Sequence, residues 1–124
     1  MNRRNGVYLR AKEESQRGNL IGVCTPVLAE LYFGAEYSQS RDRTLKQIQC
    51  ALTTWRIWPV TLSAVREYGR LAAMLKRIGR PMQQFDVMIA AVALDLGNCT
   101  VVSSDSDFLA IPGLTVENWV AQQT

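Results

Sequence analysis

The spacing of apolar and polar residues predicts helices separated by short strands, most clearly between Pro81 and Phe108. Apolar side chains recur there at helical intervals and predict one buried helix face. They are Phe85, Met88, Ile89, Val92, Ala93 and Leu96. The chain then turns through Gly97-Asn98 into Cys99–Val102, an apolar and β-branched run that is typical of a buried strand. An acidic turn over residues 103–107 is predicted to follow this strand.

Short strands and helices alternate in the same way along the rest of the chain. The pattern predicts helices over residues 7–16, 27–38, 44–52 and 62–78, and strands over residues 20–24, 57–60 and 115–116. Thr25-Pro26 is typical of a helix N-cap followed by proline at the first helical position. Strands separated by helices predict one three-layer α/β/α domain over residues 1–124, with a short parallel sheet.

The composition narrows the chemistry further, because the 124 residues include no histidine. This absence excludes Ser-His-Asp and Cys-His catalysis as well as zinc sites ligated by histidine. Acid–base chemistry would have to rest on carboxylates or on water bound to a metal. The formal net charge of +3 permits RNA or another acidic partner without requiring one.

Three cysteines, Cys24, Cys50 and Cys99, are an odd number without the spacing of a metal site. Cys24 and Cys99 lie in apolar runs, and free buried thiols suit a reducing cytoplasm. No apolar run approaches the ~20 residues of a membrane span, and no signal-type core follows the first residues. A cytoplasmic protein without a membrane partner is therefore expected.

Four acidic residues are predicted to gather at one edge of the sheet. Asp105 and Asp107 follow the Cys99–Val102 strand, Asp86 lies in the first turn of the helix before it, and Glu30 lies one turn into an earlier helix. In parallel α/β sheets, ligands bind beyond the carboxyl ends of the strands. Because converging carboxylates repel one another without a cation, this arrangement suggests a hard divalent metal.

Each acid also has a purely structural interpretation. Glu30 is at the wrong offset to close a capping box with Thr25, so it can be a solvated residue at a helix edge. Asp105 can cap the short segment 107–109, and Asp86 can cap its own helix. Convergence of three acids at one edge is a stronger signal than any one of them alone.

Three runs of the sequence resemble the PIN domain, specifically the VapC-type toxins of bacterial toxin–antitoxin pairs. They are TPVLAELYFGAE, GRPMQQFDVMIAAVAL and VVSSDSDFLAIPGLTVENW, in the order and spacing of the family. The resemblance implies an endoribonuclease that depends on Mg²⁺ or Mn²⁺. By motif position, Glu30, Asp86 and Asp105 match the acidic catalytic and metal-binding residues of the family. Asp107 matches an accessory acid, and Ser103 matches a small hydroxyl residue beside the site.

The same resemblance implies three partners: an RNA substrate, a cognate antitoxin that covers the cleft, and a second copy of the chain. Ligands that are all oxygen atoms favour Mg²⁺ or Mn²⁺ over zinc. Basic side chains near the cleft would hold the RNA backbone. Arg80 is the candidate for this role because it lies close to Asp86 in the sequence.

The N-terminus departs from the family. PIN domains begin with a strand of the form hydrophobic-hydrophobic-Asp-Thr-Asn, whereas Met1–Asn5 contains no acid. We expect a PIN-like fold without its first, central strand, and with its two neighbours about twice the usual ~4.8 Å apart. Two functions are consistent with this sequence: an RNA-cleaving toxin, and an inactive PIN remnant that binds antitoxin or RNA without cleavage. A receiver-like phosphoacceptor is disfavoured, because the strand-end lysine of such domains is missing.

Overall fold

A computed structural model describes residues 21–118 of the chain. Helices and short strands alternate along this part, as the apolar pattern predicts. In chain order they are β1 (Gly22–Cys24), α1 (Thr25–Tyr37), α2 (Arg41–Ala51), β2 (Arg56–Trp58), α3 (Leu62–Arg77), α4 (Gln84–Leu96), β3 (Thr100–Val102), a 3₁₀ turn (Ser106–Ala110) and β4 (Thr115–Glu117). None of these helices is long and apolar enough to cross a membrane.

The four strands form two parallel pairs. Strand β1 pairs with β2, where Val23 lies opposite Ile57, and β3 pairs with β4, where Val101 lies opposite Val116. Within residues 21–118 no ladder of hydrogen bonds joins one pair to the other. The predicted parallel α/β architecture is confirmed. The predicted absence of a central first strand, like the helix predicted over residues 7–16, concerns residues 1–20 and lies outside the described part.

Helices α3 and α4 pack together and form most of the core. Leu71 and Leu75 of α3 are fully buried, and Ala90 of α4 is also inaccessible to solvent. Alanine has no bulk beyond Cβ, so it lets the two helices approach closely. Val101 of β3 and Phe108 of the 3₁₀ turn complete this cluster and bring the end of β3 against α4.

The C-terminal end of α4 is tied to the N-terminal end of α3. The hydroxyl of Thr61 caps α3 by accepting a hydrogen bond from Ala64 N at 3.1 Å. The hydroxyls of Thr61 and Ser63 both donate to the carboxylate of Asp95 in the last turn of α4. The helix ends at Gly97, whose φ of 87° favours glycine. This anchor leaves the opposite end of α4, which carries Asp86, beside α1.

The buried face of α4 differs from the predicted one along most of its length. Phe85 and Leu96 are 48% and 44% exposed, although their spacing predicts burial, and Met88 and Ile89 are only partly buried. The buried residues of the helix are Val87, Ala90, Ala91, Val92 and Ala93, of which only the last two were predicted. Because α4 is apolar on nearly all sides, periodicity alone could not decide which side faces the core.

Helix α2 begins three residues earlier than predicted, at Arg41 rather than at Thr44. The guanidinium of Arg41 forms an ion pair with Glu36 of α1 at 2.7 Å. Asp42 lies in the first turn of α2, where the helix dipole favours a negative charge. The charged residues 41–43, which the predicted helix leaves out, therefore form its first turn.

Candidate active site

An open pocket of about 390 Å³ lies between α1 and the beginning of α4. Its lining contains two of the predicted acids, Glu30 from α1 and Asp86 from α4. The remaining lining residues are Gln83, Gln84 and Phe85. The first backbone N–H groups of a helix have no partner within it, so this end of α4 favours negatively charged groups.

Asp86 lies in the first turn of α4 and is partly buried. The N-cap of this helix is Gln83, and its side chain makes no capping hydrogen bond. Within the described part of the chain, the carboxylate of Asp86 also accepts no hydrogen bond. The capping interpretation of Asp86 is thus not supported, and the side chain is available for another role.

The pKa of Asp86 is raised above the ordinary aspartate value. Desolvation by burial is the largest cause, followed by the negative charges of Asp105, Glu30 and Asp107. The fold therefore brings four predicted acids into one electrostatic neighbourhood, although they come from three separate segments. Repulsion between these acids was predicted from the sequence. It contributes to the raised pKa of Asp86, but burial contributes more.

Asp105 caps the 3₁₀ turn, as its structural interpretation predicts. Its Oδ1 accepts a hydrogen bond from the backbone N–H of Asp107 at 2.9 Å. Its own backbone N–H donates to the hydroxyl of Ser103 at 3.0 Å. The second carboxylate oxygen, Oδ2, has no hydrogen-bond partner among residues 21–118. Asp105 thus combines a local structural role with a position that acts electrostatically on Asp86.

The other four predicted site residues occupy different positions. Asp107 is exposed in the 3₁₀ turn, and its backbone N–H donates to Asp105. Glu30 is exposed, as expected for a solvated helix edge, and also lines the pocket. Ser103 is partly buried and lies beside Asp105, where its hydroxyl fixes the backbone of the acidic turn. Arg80 is exposed in the loop between α3 and α4 and does not line the pocket.

The carboxylates at this pocket suit a hard cation that keeps part of its water shell, rather than an ion enclosed entirely by protein ligands. In the described part of the chain, no group of three or more acidic or cysteine side chains is close enough to hold an ion together. Mg²⁺ usually keeps several water ligands and binds through one or two carboxylates together with substrate phosphates. Glu30 and Asp86 at one pocket fit this pattern of ligation, with Asp105 and Asp107 nearby in electrostatic range.

Sequence reasoning missed three pocket residues. Gln83 and Gln84 received no role, and Phe85 was assigned to the core. A signal for them existed in the chain, because they immediately precede Asp86 at the start of the predicted helix. Residues at the start of a helix lie beside its unpaired N–H groups. A site at Asp86 therefore includes the residues just before it.

Comparison with known proteins identifies relatives along most of the chain. The family model of the PIN domain matches residues 2–114. The tRNA(fMet)-specific endonuclease VapC of Shigella flexneri is 33% identical over 97 residues, which cover 78% of this chain and 74% of the relative. Ribonuclease VapC2 of Rickettsia felis is 26% identical over 119 residues, which cover 96% and 89% of the two chains.

Solved structures show the same fold. VapBC2 from Rickettsia felis, bound to a DNA fragment from its promoter, matches with a TM-score of 0.84 and 28% identity over 91% of this chain and 85% of that chain. DNA-bound VapBC from Salmonella typhimurium matches with a TM-score of 0.82 and 28% identity over 92% and 84%. With its acids gathered beside one pocket, this chain belongs to the PIN domain family, among the VapC-type toxins.

Proposed function

We propose that this protein is a metal-dependent endoribonuclease and the toxin of a toxin–antitoxin pair. The observation that carries the proposal is the open pocket lined by both Glu30 of α1 and Asp86 of α4. Asp105 and Asp107 are near enough to act on the charge of Asp86, whose pKa is raised by burial first and then by these acids. Such a concentration of negative charge beside an open pocket opposes folding and is relieved by a cation. The relatives support RNA as the substrate, because one is named a tRNA(fMet)-specific endonuclease and another is named a ribonuclease.

The proposed cofactor is Mg²⁺ or Mn²⁺, which Glu30 and Asp86 would hold directly at the pocket. Asp105 and Asp107 do not join them in a three-acid cluster and would act through bound water or through their charge. When bound, such an ion lowers the pKa of a coordinated water and neutralises charge on the phosphate under attack. Glu30 and Asp86 line the pocket from two different helices and would hold the cation between α1 and α4, where it would offset their repulsion of the substrate phosphate. Ser103 holds the backbone of the acidic turn, and so acts on substrate through the position of Asp105.

A cognate antitoxin and a second copy of the chain are the proposed protein partners, in the cytoplasm. Matching solved structures are VapBC complexes, one of them described as a member of a family of toxin–antitoxin systems. Helix α1 exposes large apolar side chains, since Phe33 is 70% and Tyr37 is 84% exposed. Their rings stack with centroids 5.9 Å apart. Exposed apolar clusters mark interaction surfaces, and this one extends along the helix that carries Glu30.

The test is RNA cleavage by the purified chain in the presence of MgCl₂, MnCl₂ or EDTA, with a tRNA pool as substrate. Cleavage should require the divalent cation and should be lost in Asp86→Asn, which is nearly isosteric. The matched control is Asp42→Asn, because Asp42 also lies in the first turn of a helix but is exposed and paired with Arg41. Cleavage by the Asp86→Asn variant at the parent rate would show that Asp86 is not part of the catalytic site.

The second candidate is an inactive PIN remnant that binds antitoxin or RNA without cleavage. It is favoured by the lack of a three-acid metal cluster among residues 21–118. The same experiment separates the two functions. RNA binding by the parent chain without cation-dependent cleavage would support the remnant and overturn the nuclease.

A further inference from the structure

Three basic residues lie at the end of α3 and in the loop that leads from it to the acidic pocket. Lys76 and Arg77 are in the last turn of α3, and Arg80 follows in the loop. All three are exposed, and none forms an ion pair within residues 21–118. We call Lys76, Arg77 and Arg80 the basic collar.

The backbone holds the basic collar in a defined shape. Gly79 has a φ of 74°, and its N–H donates to Lys76 O at 3.1 Å. The N–H of Arg80 donates to Leu75 O at 2.8 Å. These two bonds form a Schellman motif, which ends α3 and fixes the Arg80 backbone against the last helical turn. The backbone positions of the three cations are therefore fixed at the end of α3.

The basic collar lies close to the pocket along the chain. Gln83, which lines the pocket, is only three positions after Arg80 in the chain. Even a fully extended segment of this length spans at most about 11 Å. At this distance, an arginine side chain can contact a phosphate of the same RNA strand, one or two nucleotides from the one bound at Asp86.

The helix dipole explains only part of the basic collar. Basic residues in the last turn of a helix are stabilised by its partial negative charge, which accounts for Lys76 and Arg77. Arg80 lies beyond the helix end, so that explanation does not cover it. The acids of the pocket would repel RNA phosphates, and three cations beside them offset this repulsion.

We infer that the basic collar binds the phosphates of the RNA strand that enters the acidic pocket. This inference rests on the proposed function and assigns the strand a path from the end of α3 to the beginning of α4. It extends the substrate-binding role of Arg80 to Lys76 and Arg77, to which the sequence pattern gave no role beyond ending a helix.

The test measures binding of a short fluorescent single-stranded RNA of mixed sequence in EDTA, over a range of NaCl concentrations. The variant is Lys76→Gln/Arg77→Gln/Arg80→Gln. Its control is Arg43→Gln/Lys46→Gln/Arg66→Gln, which replaces exposed cations without described ion pairs. Either triple change removes the whole formal net charge of +3, so only the location of the charges differs. Arg66 lies on the same helix, about 16 Å along its axis from Arg77.

We expect the basic-collar variant to bind at least tenfold more weakly than the parent at low salt. The slope of log affinity against log salt should fall by about 2, since each phosphate contact on a single strand contributes ~0.7. The control should keep the parent slope. Arg80→Gln alone, which disturbs no helical residue, should lower the slope by ~0.7. Thermal melting of each variant verifies that it is folded.

Equal slopes for the two triple variants would overturn the inference, because binding would then follow net charge alone. Absence of RNA binding by the parent at low salt would also overturn it. The result for the basic collar can be distinguished from the result for the nuclease proposal. Cation-dependent cleavage with equal slopes refutes only the basic collar, whereas a lower collar slope without any cleavage refutes only the nuclease.

Discussion

Replacing Asp86 with asparagine should stabilise the cation-free protein at neutral pH, although the same change should abolish RNA cleavage. Burial and then the charges of Asp105, Glu30 and Asp107 raise the pKa of Asp86. The folded chain consequently binds more protons than the unfolded chain between the two pKa values, and stability falls as pH rises through that window. The penalty is absent below the ordinary aspartate value of 3.8 and complete above the raised pKa.

The exposure of Asp86 limits the size of this gain. Because the side chain is only partly buried, solvent screens its repulsions, and interactions of this kind are worth ~0.2–1 kcal/mol. A gain below about 1 kcal/mol corresponds to a rise of at most about 4 °C in Tm for a chain of this size. A cation present at a concentration ten times its Kd for the folded parent adds about 1.4 kcal/mol to the free energy of unfolding. The order of the two melting temperatures should therefore reverse when MgCl₂ is added.

The assay is thermal unfolding followed by circular dichroism, in EDTA and in MgCl₂. At about pH 2.5 the advantage of Asp86→Asn should disappear, since the parent carboxyl is then protonated in both states. Asp42→Asn should match the parent response to MgCl₂, because Asp42 is exposed and does not line the pocket. An Asp86→Asn protein that melts below the parent in EDTA at neutral pH would refute the reasoning. An equal gain of both proteins from MgCl₂ would place the cation elsewhere.

Two further predictions concern the framework that holds the pocket. Leu71→Ala should lower the free energy of unfolding in urea by ~2–5 kcal/mol, because Leu71 is fully buried. Leu62→Ala, at a position 69% exposed, should change it by less than ~0.5 kcal/mol, and equal losses would contradict the assigned core. Asp95→Ala should cost about 1 kcal/mol, since the hydroxyls of Thr61 and Ser63 lose their shared acceptor. An unchanged urea midpoint would show that this tie does not stabilise the fold.

Helix limits were predictable where local chemistry marks them. The prediction for α3, residues 62–78, differs from the observed Leu62–Arg77 by one residue. Its start carries the Thr61 cap and its end carries Gly79, and both signals are read from neighbouring residues. The start of α2 was predicted wrongly because it depends on an ion pair between Arg41 and Glu36, which belong to different helices. Such a contact leaves no trace in hydrophobic periodicity.

The acidic site was predictable in composition but not in detail. Glu30 and Asp86 could be placed together because the carboxyl ends of parallel strands meet at one edge of the sheet, where ligand sites form. The two roles of Asp105 could not be separated from the sequence, since an Asx cap and a site acid require the same residue after the same strand. Phe85 was misplaced because an almost entirely apolar helix gives no preferred direction to its first turn.

The structure separates the part of α4 that stabilises the fold from the part that carries charge. Ala90 and Ala91 in the middle of the helix are fully buried, and Asp95 anchors its C-terminal end. Asp86 lies at the other end, and its carboxylate makes no hydrogen bond within the described residues. An unfavourable charge is tolerated there because the packing that positions the helix does not involve the carboxylate. A helix anchored through its middle and far end thus presents a destabilised acid at a fixed position, which is the arrangement that a cation-dependent site requires.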